Sequence, residues 1–284
     1  YESLFANTTG TINTALGRQA LRSNTTGTDN TAVSYSLVSN TTGSNNTAVG
    51  KSALNANTTG TYNTAVGMHS LGANTTASNN TAIGYASLLA NTTGNNNTAN
   101  GFESMYANTT GVENTAMGHK ALRANTTGVE NTALGDFTLT SNTSAHYNTG
   151  LGRTALFTNT TGTQNTASGH QAMRQNTTGS SNSAYGKSAL YSNTTASNNT
   201  AVGYRSLFAN TTGSYNVAVG MGSLETNTTA YYNTAVGYDS LKLSTIGERN
   251  AALGYAALKN NTTGSYNVAV GFSAMELNTT GANN

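Results

Sequence analysis

Large apolar side chains recur at fixed places in a 17-residue cycle, with small and polar residues filling the positions between them. Aligned on N-T-T-G, units open at Asn7, Asn24, Asn40, Asn57, Asn74, Asn91, Asn108, Asn125, Asn142, Asn159, Asn176, Asn193, Asn210, Asn227, Ser244, Asn261 and Asn278; every interval is 17 residues except Asn24 to Asn40, which is 16. The consensus is N-T-T-G-S-Y-N-T-A-V-G-Y-x-S-L-x-A. Position 15 is only Leu or Met, and Leu21, Leu54, Leu88, Leu122, Leu156, Leu190, Leu224 and Leu258 are the candidate core, with Met105, Met173 and Met275 as equivalents. Position 9 is Ala in every complete unit but that of Gly150, and position 14 holds only Ala, Ser or Thr. Small, large and small residues held in register predict a thin packed core in which one methylene matters.

Seventeen residues are too few for a helical hairpin repeat, and Gly or Ala at position 4 with Gly at position 11 disfavours a continuous helix. The length fits one turn of a β-coil with Gly and Asn corners. The reading is therefore all-β: a β-solenoid or β-roll of 17-residue coils. A first strand is expected at N-T-A-V and a second around x-S-L-x-A-N-T. Residues 1–284 form one repeat array of 16 complete units with partial ends. Both ends fall inside a repeat and lack a polar cap, so flanking sequence is expected.

Position 7 is Asn in all sixteen units: Asn13, Asn30, Asn46, Asn63, Asn80, Asn97, Asn114, Asn131, Asn148, Asn165, Asn182, Asn199, Asn216, Asn233, Asn250 and Asn267. Position 1 is Asn except at Ser244. Identical amides stacked at the strand spacing of roughly 4.8 Å hydrogen-bond from coil to coil, so both positions are expected to form ladders. An acid there would stack like charges, and Gln would not fit the turn.

Position 10 is mostly Val, Leu, Ile or Met, yet admits Asn100, Ser168 and Tyr185. Such a tolerant apolar row reads as a half-exposed stripe suited to a second copy of the chain, a trimer being favoured. Charges concentrate at positions 12, 13 and 16 (Arg18, Lys51, Lys120, Arg205, Asp239, Lys242), which therefore read as the solvated face.

Composition narrows the function. Only 8% of residues are charged, the formal net charge is +2, and Pro, Cys and Trp are absent. No basic run with interleaved aromatics is present, so nucleic acid is not an expected partner. No apolar stretch approaches the roughly 18–20 residues of a membrane helix. Without Cys there are no disulfides or thiolate metal sites.

His69, His119, His146 and His170 read as solvated surface residues without a carboxylate in their columns, and no metal or other cofactor is expected. Glu113 and Glu130, one coil apart at position 6, read as a tolerated surface pair rather than an acid/base couple. No column joins Ser or Thr to His and an acid, so no enzyme is expected. The N-T-T and N-T-S triplets make Asn7, Asn24 and their equivalents formal N-glycosylation acceptors. Sugars on one face every roughly 4.8 Å are too crowded for full occupancy, so the ladder is the stronger reading.

The recurring N-T-A-V-G, as in Asn63 to Gly67 and Asn233 to Gly237, followed by S-L or A-L, resembles the head repeats of YadA-like trimeric autotransporter adhesins. It also looks like repeats of long phage tail fibres and bacterial surface fibres. The resemblance implies a left-handed trimeric β-roll displayed outside the cell or on a virion. The expected function is a structural or adhesive extracellular fibre, self-associating, with host-surface or glycan ligands. The alternative is an ice-binding β-solenoid, for which paired outward Thr rows would be needed, whereas the Thr residues at positions 2 and 3 should face opposite ways.

Overall fold

A computed structural model describes all 284 residues, Tyr1–Asn284. The protein is an all-β parallel β-solenoid without helices. It divides into two compact units, Tyr1–Ser144 and Ala145–Asn284. The first carries strands from Thr14–Leu16 to Thr132–Leu134, the second from Thr149–Leu151 to Val268–Val270, each strand 3 residues long.

Each coil contributes one strand, at positions 8 to 10. β-branched residues on either side of a small one suit a pleated surface that is buried on one face. The Ala goes inward with no exposed surface in nearly every coil, while its neighbours point outward. Pairing is parallel and in register, column on column: Thr47 opposes Thr64, Ala48 opposes Ala65 and Val49 opposes Val66.

The expected second strand does not form. The segment x-S-L-x-A is a run of turns, because positions 13 and 15 are left-handed. Every Leu or Met at position 15 has φ between 48° and 52°. A β-branched side chain is strongly disfavoured there, whereas an unbranched Cβ is tolerated. Left-handed φ and complete burial together favour unbranched Leu and Met at position 15, although β-branched Ile12 and Thr154 occupy similar φ elsewhere in the chain. These side chains are the core as expected: Leu21, Leu54, Leu88, Leu122, Leu156, Leu190, Leu224 and Leu258 are fully buried. Met275, in the last coil, remains partly exposed.

Position 11 is glycine in every 17-residue coil, where φ runs from 116° to 138°. A Cβ built on Gly67 would also meet the carbonyl oxygen of Gly84 in the next coil at 2.5 Å. The 16-residue unit is the exception: Ser34 occupies position 11 at φ 78°. Tyr35 O accepts from Ser52 N at 2.7 Å, just as Lys51 O accepts from His69 N at 2.9 Å. Tyr35 is therefore position 12, and the missing residue is position 13. The deletion is absorbed in the turn, so Thr31 still opposes Thr47 and strand register survives.

Candidate functional site

Two amide ladders meet on one carbonyl. At position 1, Asn40 Nδ2 donates to Asn24 Oδ1 of the preceding coil (2.8 Å) and to Gly43 O of its own (2.9 Å). At position 7, Asn30 donates its backbone N–H and Nδ2 to Asn13 Oδ1 (3.0 and 3.1 Å), and Nδ2 again to Gly43 O (2.9 Å). Both lone pairs of the Gly43 carbonyl are thus used, one by each ladder. The arrangement repeats through both units, as at Asn57, Asn108, Asn182 and Asn199. The predicted ladder residues Asn30 to Asn267 are buried, Asn13 being partly exposed in the first full coil.

At Ser244 the position-1 ladder breaks. Asn227 Oδ1 and Ser244 Oγ are buried without a hydrogen-bond partner, because the hydroxyl is too short to reach where an amide NH2 would stand.

The same region holds a charged cleft that the column reading did not anticipate. A cleft of about 200 Å³ is lined by Tyr204, Arg205, Met221, Gly222, Glu225, Asp239 and Lys242. It exists because position 13 is Gly222 in this coil: a Cβ there would lie 2.6 Å from Asp239 Oδ1 and 3.5 Å from Glu225 Oε2. Asp239, expected on the solvated face, is 4% exposed. Its carboxylate is met by Lys242 Nζ at 3.0 Å and Lys259 Nζ at 3.2 Å. Glu225 stands 2.8 Å from Arg205 Nε, close but without hydrogen-bond alignment, and 3.6 Å from Lys242. The hydrogen bond to Asp239 holds the Lys242 ammonium above the ordinary lysine value, outweighing its partial burial. A buried carboxylate needs such partners, since burial without them is costly.

A simple rule governs these pairs. Glu2–Arg22, Glu103–Arg123, Arg205–Glu225 and Asp239–Lys259 each join position 13 of one coil to position 16 of the next, 20 residues on. The spacing is visible in the sequence, but only a diagonal comparison between columns finds it.

Histidine also departs from expectation. His119 and Asp136 share position 12 in adjacent coils, and the His119 backbone N–H donates to Asp136 Oδ1 at 3.2 Å. The His119 ring packs on Phe102 (5.4 Å) and edge-on to Phe137 (4.7 Å). Glu113 and Glu130 are both exposed on the surface, and no three His, Cys, Asp or Glu residues converge as metal ligands. No helix is long and apolar enough to cross a membrane.

Chemically, the cleft offers cations and carboxylates that already neutralise one another, beside one aromatic ring. That arrangement clamps successive coils together. It contains no nucleophile activated by a base.

No protein-family model matches this sequence, and no curated protein does.

Proposed function

We propose that the chain is a stretch of non-catalytic extracellular fibre, structural or adhesive, of the kind whose repeats it resembles in YadA-like adhesin heads and phage tail fibres. The observation that carries this reading is an outward apolar stripe. At position 10, Leu16, Met117, Tyr185 and Leu253 are 68%, 45%, 46% and 50% exposed. Position 12 runs beside it, with Tyr85, Phe102, Tyr238 and Tyr255 exposed and stacked on coil neighbours at about 5 Å. Exposed apolar side chains recurring at one position of successive coils mark a candidate interface. A second and third copy carrying the same axial repeat would match it residue for residue, and a trimer would cover it from all sides. Binding of host surfaces or glycans would then be weak per coil and strong by multiplicity.

Sedimentation over a hundredfold range of concentration tests this. A trimer whose melting temperature rises with concentration is expected. A monomer with a concentration-independent melt overturns the assembly and, with it, the fibre.

One observation favours ice binding as a second reading. Thr at position 3 is exposed in successive coils, as at Thr26, Thr42 and Thr59. Thr at position 2 does not join it, because its hydroxyl is spent on the next coil's carbonyl, as from Thr41 to Thr58 O at 3.1 Å. Thermal hysteresis that vanishes in Thr42→Leu/Thr59→Leu would establish ice binding; its absence in the native chain removes the reading.

A further inference from the structure

The fully buried position-1 asparagines, from Asn24 to Asn261, cannot carry sugar in the folded protein. Asn57 shows no exposed surface, and its Nδ2 donates to Asn40 Oδ1 at 2.8 Å and to Gly60 O at 3.0 Å, using both N–H bonds. A glycan on that nitrogen would remove one bond and need space that the next coil fills. The N-T-T triplets that open at these buried residues are therefore silenced by the fold.

A different set of acceptors escapes. At position 6 the chain reads N-N-T four times, opening at Asn45, Asn79, Asn96 and Asn198. All four are exposed, on a turn with φ between 59° and 61°. Their backbone N–H groups are satisfied, as in Asn45 N to Thr28 O at 3.0 Å, but their side-chain amides make no hydrogen bond. The third residue of each triplet (Thr47, Thr81, Thr98, Thr200) opens a strand and is at least partly exposed. Left-handed φ alone would favour Asn here, yet position 6 also accepts Tyr, Glu, Gln and Arg at similar φ, as at Tyr62, Glu113, Gln164 and Arg249. Asn260 also opens N-N-T, but it is half-buried, and the hydroxyl of Thr262 is bonded to Thr279 O at 3.0 Å.

We infer that Asn45, Asn79, Asn96 and Asn198 are the N-glycan attachment sites of this fold, presented to an asparagine glycosyltransferase using an activated sugar. In the reaction Asn Nδ2 attacks the anomeric carbon of a pyrophosphate-linked donor. The N–C bond forms as the C–O bond to the phosphate breaks, the carrier pyrophosphate leaves with the electron pair, and the amide loses one proton to the enzyme's base. Asn79 and Asn96 lie in adjacent coils, separated by roughly one strand spacing of about 4.8 Å. Two branched glycans do not fit that interval, so one of the pair is occupied at a time and a molecule carries at most three glycans. The inference does not depend on the fibre reading.

The test is secretion of the full chain behind a signal peptide from a eukaryotic host. Soluble, protease-resistant protein is then mapped by enzymatic deglycosylation in heavy-oxygen water and by intact mass. Up to three glycans are expected, confined to the four sites, with occupancy moving to Asn96 in Asn79→Gln. Thr47→Ala should abolish modification at Asn45 without unfolding, because position 8 already tolerates Ala251. A glycan on Asn57 or another ladder residue, simultaneous occupancy of Asn79 and Asn96, or no glycan at any of the four sites overturns the inference.

Discussion

At the scale of the residue, the backbone decides more than side-chain volume. Position 15 holds a buried Leu at φ near 50°, so substitutions should rank by branching at Cβ. Leu122→Met is expected to change stability by less than about 1 kcal/mol. Leu122→Ile keeps the volume but places a branched Cβ in the left-handed region, and should lose about 1–2 kcal/mol more. Chemical denaturation of the two variants checks this, and equal losses would mean that volume alone governs the site. The signal was present in the sequence as a column of Leu and Met without a single Val or Ile. That column reports backbone φ as well as side-chain size. The ladders were easier to read because each amide bonds to its own equivalent, so an unvarying column is itself the interaction. Ser244 follows from the same logic. Ser244→Asn should give Asn227 Oδ1 its missing donor and stabilise the second unit by about 1–3 kcal/mol, the usual penalty of a buried unsatisfied group. Calorimetry showing no rise in the melting temperature would contradict the ladder account.

At the scale of the coil, only T-A-V makes a strand, and the other corners are turns stabilised by hydrogen bonds to neighbouring coils. The expected second strand failed because x-S-L-x-A lacks strict alternation; its small and large residues both point inward at positions 14 and 15. Ion pairs are hidden from a column comparison for a related reason. Columns compare like with like, whereas Asp239 meets Lys259 on the diagonal between position 13 and position 16. The Lys242–Asp239 bond gives this clamp a pH signature. Its ammonium is held above the ordinary value of 10.5 in the folded state. The stabilisation is therefore fully present below the unfolded value and is lost as pH rises through the raised folded value. Unfolding free energy measured from pH 9 to pH 12 should fall more steeply for the native chain than for Lys242→Met. Parallel curves would show that the Lys242 contact adds nothing.

At the scale of the whole molecule, a stack of coils is stabilised step by step, each coil leaning on the one before and the one after. The weakest step sets where the array opens first. In the second unit that step lies between the coils opening at Asn227 and Ser244, where one ladder is cut. The charged clamp bridges this same step: Asp239 belongs to the first of the two coils and Lys259 to the second. Lys242, Glu225 and Arg205 extend the chain of contacts back across two further coils. Charges are scarce in this sequence, so their gathering beside the broken ladder argues that they compensate for it. If so, clamp and ladder are alternatives. Asp239→Ala in the native background should raise amide exchange at Leu243 and Thr228, whose N–H groups bond across this step to Lys259 O and Thr245 O, by tenfold or more. Combined with Ser244→Asn, the same Asp239→Ala change should raise it by much less. Equal increases in both backgrounds would mean that clamp and ladder act independently, leaving the position of the charges without this explanation.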